Sequence, residues 1–241
     1  PKIRAETDLV EGNGGEVEPA GASDLVLAVD VAHIPRRMVV DADARDLHQV
    51  ALLPEQFGAQ GLGCLAAGVI HEEIARADLS ISYINLLASL NGQILSQHGQ
   101  PEVVKPWLEK LTRGEALFAI ALTEPRGGSD AANLRLRVER IGDDYVINGE
   151  KTSISAADQA DATVVFGRTG TVDSGAHGVT ALLVPMDIPG ITTNRFDCHG
   201  QRAIGRGSIF FENVRVPVSH RLGAENKGFV QVMQGFDFSR A

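Results

Sequence analysis

The run Ala121-Leu122-Thr123-Glu124-Pro125-Arg126-Gly127-Gly128-Ser129-Asp130 concentrates residue types able to hold an anionic or carbonyl-rich ligand. A short apolar stretch ends in two adjacent glycines among hydroxyls, so backbone N–H groups can approach a ligand with no Cβ in the way. The same residues also make an ordinary surface turn, and local physics alone leaves both readings open. Arg126 is equally two-sided, a cation for a phosphate or a side chain in solvent. Other chemistries lack their signals. His71-Glu72-Glu73-Ile74-Ala75 opens like a zinc-protease helix, but that site needs a second histidine one turn on and the chain has Ala75. A solvated helix face is expected there. His33, His48, His98, His177, His199 and His220 show no ligand spacing, so no metal site is expected. A P-loop and a G-x-G-x-x-G after a strand are both missing from the sequence.

Cys64 and Cys198 are far apart and match no metal spacing, which points to reduced thiols and a cytoplasmic setting. The net charge of −9 argues against nucleic acid as a partner, since phosphate-backbone binders collect Lys and Arg on one face. No apolar run approaches the roughly 20 residues that cross a bilayer, so no membrane span is expected. Pro1 in place of an initiator Met, and a stop at Ala241 inside the apolar-periodic run Phe229 to Phe236, read as the ends of a fragment.

The elements that would position the turn can be read from period. Residues 1–50 are poorly defined: Glu11-Gly12-Asn13-Gly14-Gly15 is a turn cluster, little order is expected from Pro1 to Ser23, and Asp24 to Ala32 fits a strand or a short helix. A glycine-rich stretch, Leu52 to Gly63, leads into a helix from Leu65 with Val69, Ile70, Ile74 and Ala77 as its apolar face and His71, Glu72, Glu73 and Arg76 toward water. A second helix spans Ser82 to His98 with Ile84, Leu87, Leu90, Ile94 and Leu95 inward, and Gly99 stops it. Pro101 suits a first helical turn, and that helix carries Val104, Trp107, Leu108 and Leu111 to a stop at Gly114. The period then changes. Strands are predicted at Phe118 to Leu122, Leu134 to Val138, Tyr145 to Ile147, Ala162 to Phe166, Val179 to Val184 and Ser208 to Phe211. A helical pattern returns after Gly223. The order predicts an α+β chain, helical bundle first and antiparallel β segment second, divided as 51–116 helical, 117–222 β and 223–241 the first helix of a third domain.

The turn resembles the acyl-CoA dehydrogenase signature T-E-P-x-A-G-S-D, with Gly127 where alanine is commoner. In order, Tyr145 to Ser155 resembles the family's next flavin-contacting strand, and Gly200-Gln201-Arg202, Phe211 to Pro217 and Leu222-Gly223 through Gly228-Phe229 match the end of its β domain and the start of its third domain. The resemblance covers about residues 52–241. It implies FAD bound without a Rossmann motif, an acyl-CoA substrate, a homotetramer and an electron-transfer flavoprotein as electron acceptor. Leu122, Thr123 and Gly128 would approach the flavin. Ser129 would serve the FAD and CoA-side phosphates, and Ser155 stands where a threonine hydroxyl bonds near flavin N5. Ser153 replaces a common aromatic cover of the ring. Asp237, Ser239 and Arg240 match the stretch that holds CoA in relatives. The first fifty residues lack the amphipathic opening helix relatives carry.

The resemblance implies α,β-dehydrogenation: a carboxylate removes the α proton, hydrogen bonds to the thioester carbonyl stabilise the enolate, and the β hydrogen leaves as hydride to flavin N5. The base is expected beyond Ala241. A flavin oxidase or monooxygenase on the same fold, kept open by Ser153, and a non-catalytic partner subunit are the rival readings. Tyr83 to Asn91 is expected to contribute to the pocket wall, and its wording, together with Lys151 to Ser155, resembles members acting on alicyclic acyl-CoA esters; a packed helix interior explains the same leucines.

Overall fold

The computed structural model describes residues 2–4, 26–28, 55–57, 59 and 64–239. The chain divides into two units, 1–48 and 49–241. In the first, β1 (Lys2–Arg4) pairs antiparallel with β2 (Val26–Ala28), Ile3 opposite Leu27. The apolar run after Asp24 therefore contains a strand, and order reaches Lys2–Arg4, within the stretch expected to have little.

In the second unit three helices come first, α1 (Cys64–Ala77), α2 (Leu79–His98) and α3 (Pro101–Thr112). Asp78 separates the first two: its carboxylate accepts from Ser80 N at 2.6 Å, an N-cap that starts α2 three residues before the predicted Ser82. Gly99 ends α2, its N–H reaching Leu95 O at 2.9 Å, and a Cβ there would lie 2.0 Å from Val104 Cγ1. Only glycine lets α3 begin so close. Pro101 opens α3 as expected. The predicted inward face of α1 needs correction. Val69 is 55% exposed and Ala77 is exposed, whereas His71 is half-buried, because α1 meets α2 through Ala67, Ile74 and the Ser82 hydroxyl, which donates to His71 O at 2.8 Å. From Ser89 to Leu95 α2 is buried all round, since α1, α3, α4 and β3 surround it.

The sheet follows: β3 (Phe118–Ala121), β4 (Arg137–Ile141), β5 (Asp144–Ser155), β6 (Ala162–Arg168), β7 (Val179–Pro185), β8 (Ile191–Arg195), β9 (Arg206–Pro217) and β10 (Arg221–Leu222). Their order is β10-β7-β6-β4-β5-β9-β8, with β3 paired to β6. It is mostly antiparallel, as expected; β3 runs parallel to β6, Phe118 opposite Ala162, and β4 meets β6 in parallel at Arg137 and Arg168. Helix α4 (Gly228–Ser239) closes the order, and the chain is α+β. β8 and β10 were not legible, because β8 is an edge strand with one partly buried apolar residue, Ile191, and β10 has two residues.

Alternation along β6 and β7 sorts the core into two faces. Val164, Phe166, Ala181 and Leu183 pack with Leu90, Ile94, Leu108 and Phe118 toward the helices. Val165, Leu182 and Val184 pack with Tyr145, Ile147, Ile209 and Val214 within the β layer. Trp107 meets Phe118 edge-on, centroids 5.5 Å apart, and so seats α3 against the first strand of the sheet.

Candidate functional site

The signature run is the C-terminal end of β3 and the turn after it. Ala121 and Leu122 are buried, Thr123 and Glu124 half-buried, and Gly128 and Ser129 exposed. Gly128 lies beside Thr123: a Cβ on it would be 3.6 Å from Thr123 Cγ2. Glu124 and Gly127 pair across the turn, Gly127 N donating to Glu124 O at 3.0 Å.

Strand β5 runs alongside. Thr152 N donates to Thr123 O at 2.9 Å, which sets the Thr152–Ser155 stretch next to Leu122 and Thr123. There the β5–β9 register shifts between Lys151 and Ile154, and Ser153 sits at φ +57. A left-handed serine costs on the order of 1–2 kcal/mol, so this is a built bulge that turns the strand's hydroxyls relative to its ladder. Ser153 and Ser155 are half-buried, and Ser155 Oγ donates to the Tyr83 hydroxyl of α2 at 3.3 Å. Of the run expected to form a pocket wall, Tyr83 thus reaches the site, whereas Leu90 packs in the core.

Of the sequence-predicted residues, the structure gathers Leu122, Thr123, Gly128, Ser153 and Ser155, with Ser129 next along the turn. Arg126 is exposed. Asp237 and Ser239 fall on α4, whose last side chains are not among those described, and Arg240 lies outside the described residues.

The network beneath the turn was not anticipated. Lys151 is 0% exposed, and its Nζ donates to Leu122 O and to Glu124 Oε1, each at 2.8 Å. Glu124 also accepts from Arg135 N at 2.7 Å and Leu136 N at 2.8 Å. Burial pushes the Lys151 ammonium down to about 8 against the pull of Glu124. Burial works against the Glu124 carboxylate as well, but the Lys151 charge and the hydrogen bonds outweigh it and hold Glu124 below the usual carboxylate range. Buried Arg168 donates to Leu134 O at 2.9 Å, Ala132 O at 2.7 Å and Gly175 O at 2.7 Å. A signal for Lys151 exists in the sequence: Tyr145 and Ile147, both buried, share a parity that Lys151 continues, although the intervening Gly149 is exposed.

The segment before α4 is fixed differently. The Tyr145 hydroxyl donates to the Glu225 carboxylate and accepts from Arg221 Nη1 at 3.3 Å. Asn226, at φ +65, donates from its N–H to Thr180 Oγ1 at 2.8 Å and accepts from Thr169 Oγ1 at 2.8 Å. Gly223 N donates to His98 O at 2.7 Å.

Residues 24–115 match the family description "Acyl-CoA dehydrogenase, N-terminal domain", and residues 119–214 match "Acyl-CoA dehydrogenase, middle domain". The chain belongs to the acyl-CoA dehydrogenase family. The N-terminal match begins inside the segment that looked unlike relatives. Mitochondrial isovaleryl-CoA dehydrogenase of Pongo abelii is 35% identical over 191 residues, 78% of this chain and 45% of that protein. Cyclohex-1-ene-1-carbonyl-CoA dehydrogenase of Geobacter metallireducens is 36% identical over 193 residues, 78% and 50%. A solved glutaryl-CoA dehydrogenase from Mycobacterium smegmatis in complex with FADH2 superposes with a TM-score of 0.69 at 27% identity, covering 81% of this chain and 52% of that one. The chain spans about half the length of the curated relatives it matches.

Proposed function

We propose that this chain supplies the flavin-binding part of an FAD-dependent acyl-CoA dehydrogenase. The observation that carries the reading is the joint of β3 and β5, where the Thr152-to-Thr123 hydrogen bond sets Leu122 and Thr123 beside Ser153 and Ser155, next to the exposed Gly128–Ser129 turn. Backbone groups and hydroxyls without a metal suit a flavin ring edged with carbonyls and ring nitrogens and a pyrophosphate that needs close backbone approach. The glutaryl-CoA dehydrogenase of similar fold, solved with FADH2, supports FAD. FAD, when bound, would supply the hydride acceptor.

In this reading Leu122 and Thr123 would edge the ring, the Ser155 hydroxyl would turn from Tyr83 to donate to it, and Gly128 and Ser129 would meet the phosphates of FAD and CoA. Asp237, Ser239 and Arg240 hold the CoA moiety. Glu124 is not the base, because backbone amides and Lys151 occupy both its oxygens. The base belongs to the half of the relatives' length that this chain does not match. A homotetramer, an electron-transfer flavoprotein as acceptor, a cytoplasmic setting and the division 51–116, 117–222 and 223–241 are part of the same proposal. The branched-chain and ring-substrate relatives are almost equally similar, so identity does not choose an acyl shape. The alicyclic assignment rests on the wording of Tyr83 to Asn91 and Lys151 to Ser155.

The test is the anaerobic visible spectrum of protein from the complete reading frame, before and after isovaleryl-, glutaryl- and cyclohexenecarbonyl-CoA. Bleaching of a flavin band by one ester is the expected result. A protein purified without flavin supports a non-catalytic partner. Half-buried Ser153, in place of an aromatic cover, favours a second reading as an oxidase or monooxygenase. Fast reoxidation of the reduced flavin by dioxygen would establish that reading.

A further inference from the structure

The glycine-rich turn leaves the sheet at Leu122 and returns at Leu136, and buried charge closes its neck. Lys151 Nζ holds the residue before Thr123 through the Leu122 carbonyl and the residue after it through the Glu124 carboxylate. That carboxylate also takes the amides of Arg135 and Leu136, tying the outgoing limb to the returning one. Arg168 fixes the far limb through the carbonyls of Ala132 and Leu134. Both partners of Lys151 are at the start of this turn, and no part of Lys151 reaches solvent.

A buried ion pair is a poor source of stability, because desolvating both charges costs about as much as their attraction returns. A fixed geometry is what this pair supplies. Two adjacent glycines make the turn entropically expensive to order, and a neck closed during folding removes that cost from ligand binding. Building on the flavin reading above, we infer that Lys151 is a positioning residue for FAD, acting through the Leu122 carbonyl and the Glu124 carboxylate to hold Leu122–Thr123 and the Gly127–Ser129 turn ready for the ligand. It touches neither flavin nor substrate.

The test compares wild type, Lys151→Met and the double variant Lys151→Met with Glu124→Gln, all in the full-length protein. Lys151→Met strands a buried carboxylate and is expected to unfold readily. The double variant removes both charges of the pair and keeps Arg168 on its three backbone carbonyls, so its denaturation midpoint is expected nearer wild type than that of Lys151→Met. Its FAD affinity, read by quenching of flavin fluorescence on reconstitution, is nevertheless expected to fall about tenfold or more, with altered vibrational structure in the visible band of bound flavin. Without flavin, trypsin is expected to cut after Arg126 and Arg135, both exposed, several-fold faster than in wild type. A double variant that binds FAD within about twofold of wild type and is cut at the wild-type rate would overturn the inference. A wild type that binds no FAD would sink the flavin reading and the flavin role with it. The flavin-free trypsin comparison identifies that case, because it reports on the neck alone.

Discussion

Two irregular segments leave the same sheet and are fastened in opposite ways. The 122–136 turn is closed from beneath by Lys151, Glu124 and Arg168, each charge buried or nearly so. The 218–228 segment is held by hydroxyls of the buried Tyr145 and Thr180, an asparagine in the left-handed region and a half-exposed Arg221–Glu225 pair 3.8 Å apart. Buried charge has one arrangement or none, since a lost partner strands an ion. The Arg221 and Glu225 charges, half-exposed, can exchange a lost bond for water. The first fastening therefore suits a surface that must be preformed, and the second suits a join between an element and its neighbours.

The sharpest way to break the contrast is Glu124→Ala, which leaves the Lys151 ammonium buried without its counter-charge. A loss of about 3–5 kcal/mol in chemical denaturation is expected. A loss under about 1 kcal/mol would put this turn in the same class as the other segment.

The pH dependence sharpens it next. Burial lowers Lys151 to about 8, so the folded protein releases that proton before the unfolded chain does. Its stabilising contribution is complete above the ordinary lysine value and is lost as pH falls through about 8. Denaturation midpoints of wild type should rise across that window, after subtraction of the double variant as background. Glu124, also held low, gives stability that is present above the ordinary carboxylate range and lost as pH falls through its folded value.

Smaller effects are expected at the second segment. Asn226→Ala loses the Thr169 bond and forces alanine to φ +65, for about 1–2 kcal/mol, while Asn226→Gly should lose less. Hydrogen exchange at Gly223 to Lys227 should quicken in the alanine variant while the turn stays protected. Tyr145→Phe removes one hydroxyl from Glu225 and Arg221 and should cost about 1 kcal/mol. Smallest of all, Arg137→Ala breaks an exposed pair with Glu139 and should shift the midpoint by less than about 0.5 kcal/mol.

What could be read in the sequence followed from period and from stops. Gly99, Pro101 and Gly114 bounded helices where expected, and Leu134, Leu136 and Val138 alternate with exposed arginines as their spacing implied. Val69 misled because its helix has another contact face, set by Ala67, Ile74 and the Ser82 hydroxyl. β8 was hidden by its edge position, where Thr192, Thr193 and Asn194 face water and no apolar alternation is needed. The turn was found as a motif, yet its fastening was not. Glu124 reaches Lys151 across two strands, and a long-range charge pair leaves no mark on local period. The inward parity of Lys151 was the available clue. Ser153 at φ +57 could not be foreseen, since serine is no usual left-handed residue.

The parallel pairing of β3 with β6 bears on how the chain is made. Phe118–Ala121 cannot find its partner until β4, β5 and Ala162–Val165 have been synthesised, and β5, paired at once with β4, gains its second neighbour only with β9, which closes Asp144 against Pro217. The helices emerge before the sheet with their apolar faces uncovered, because Leu90, Ile94 and Leu108 are capped by strands made later. A synonymous change that slows the ribosome between the codons for Thr112 and Ala162 should lower the yield of folded protein without altering a residue.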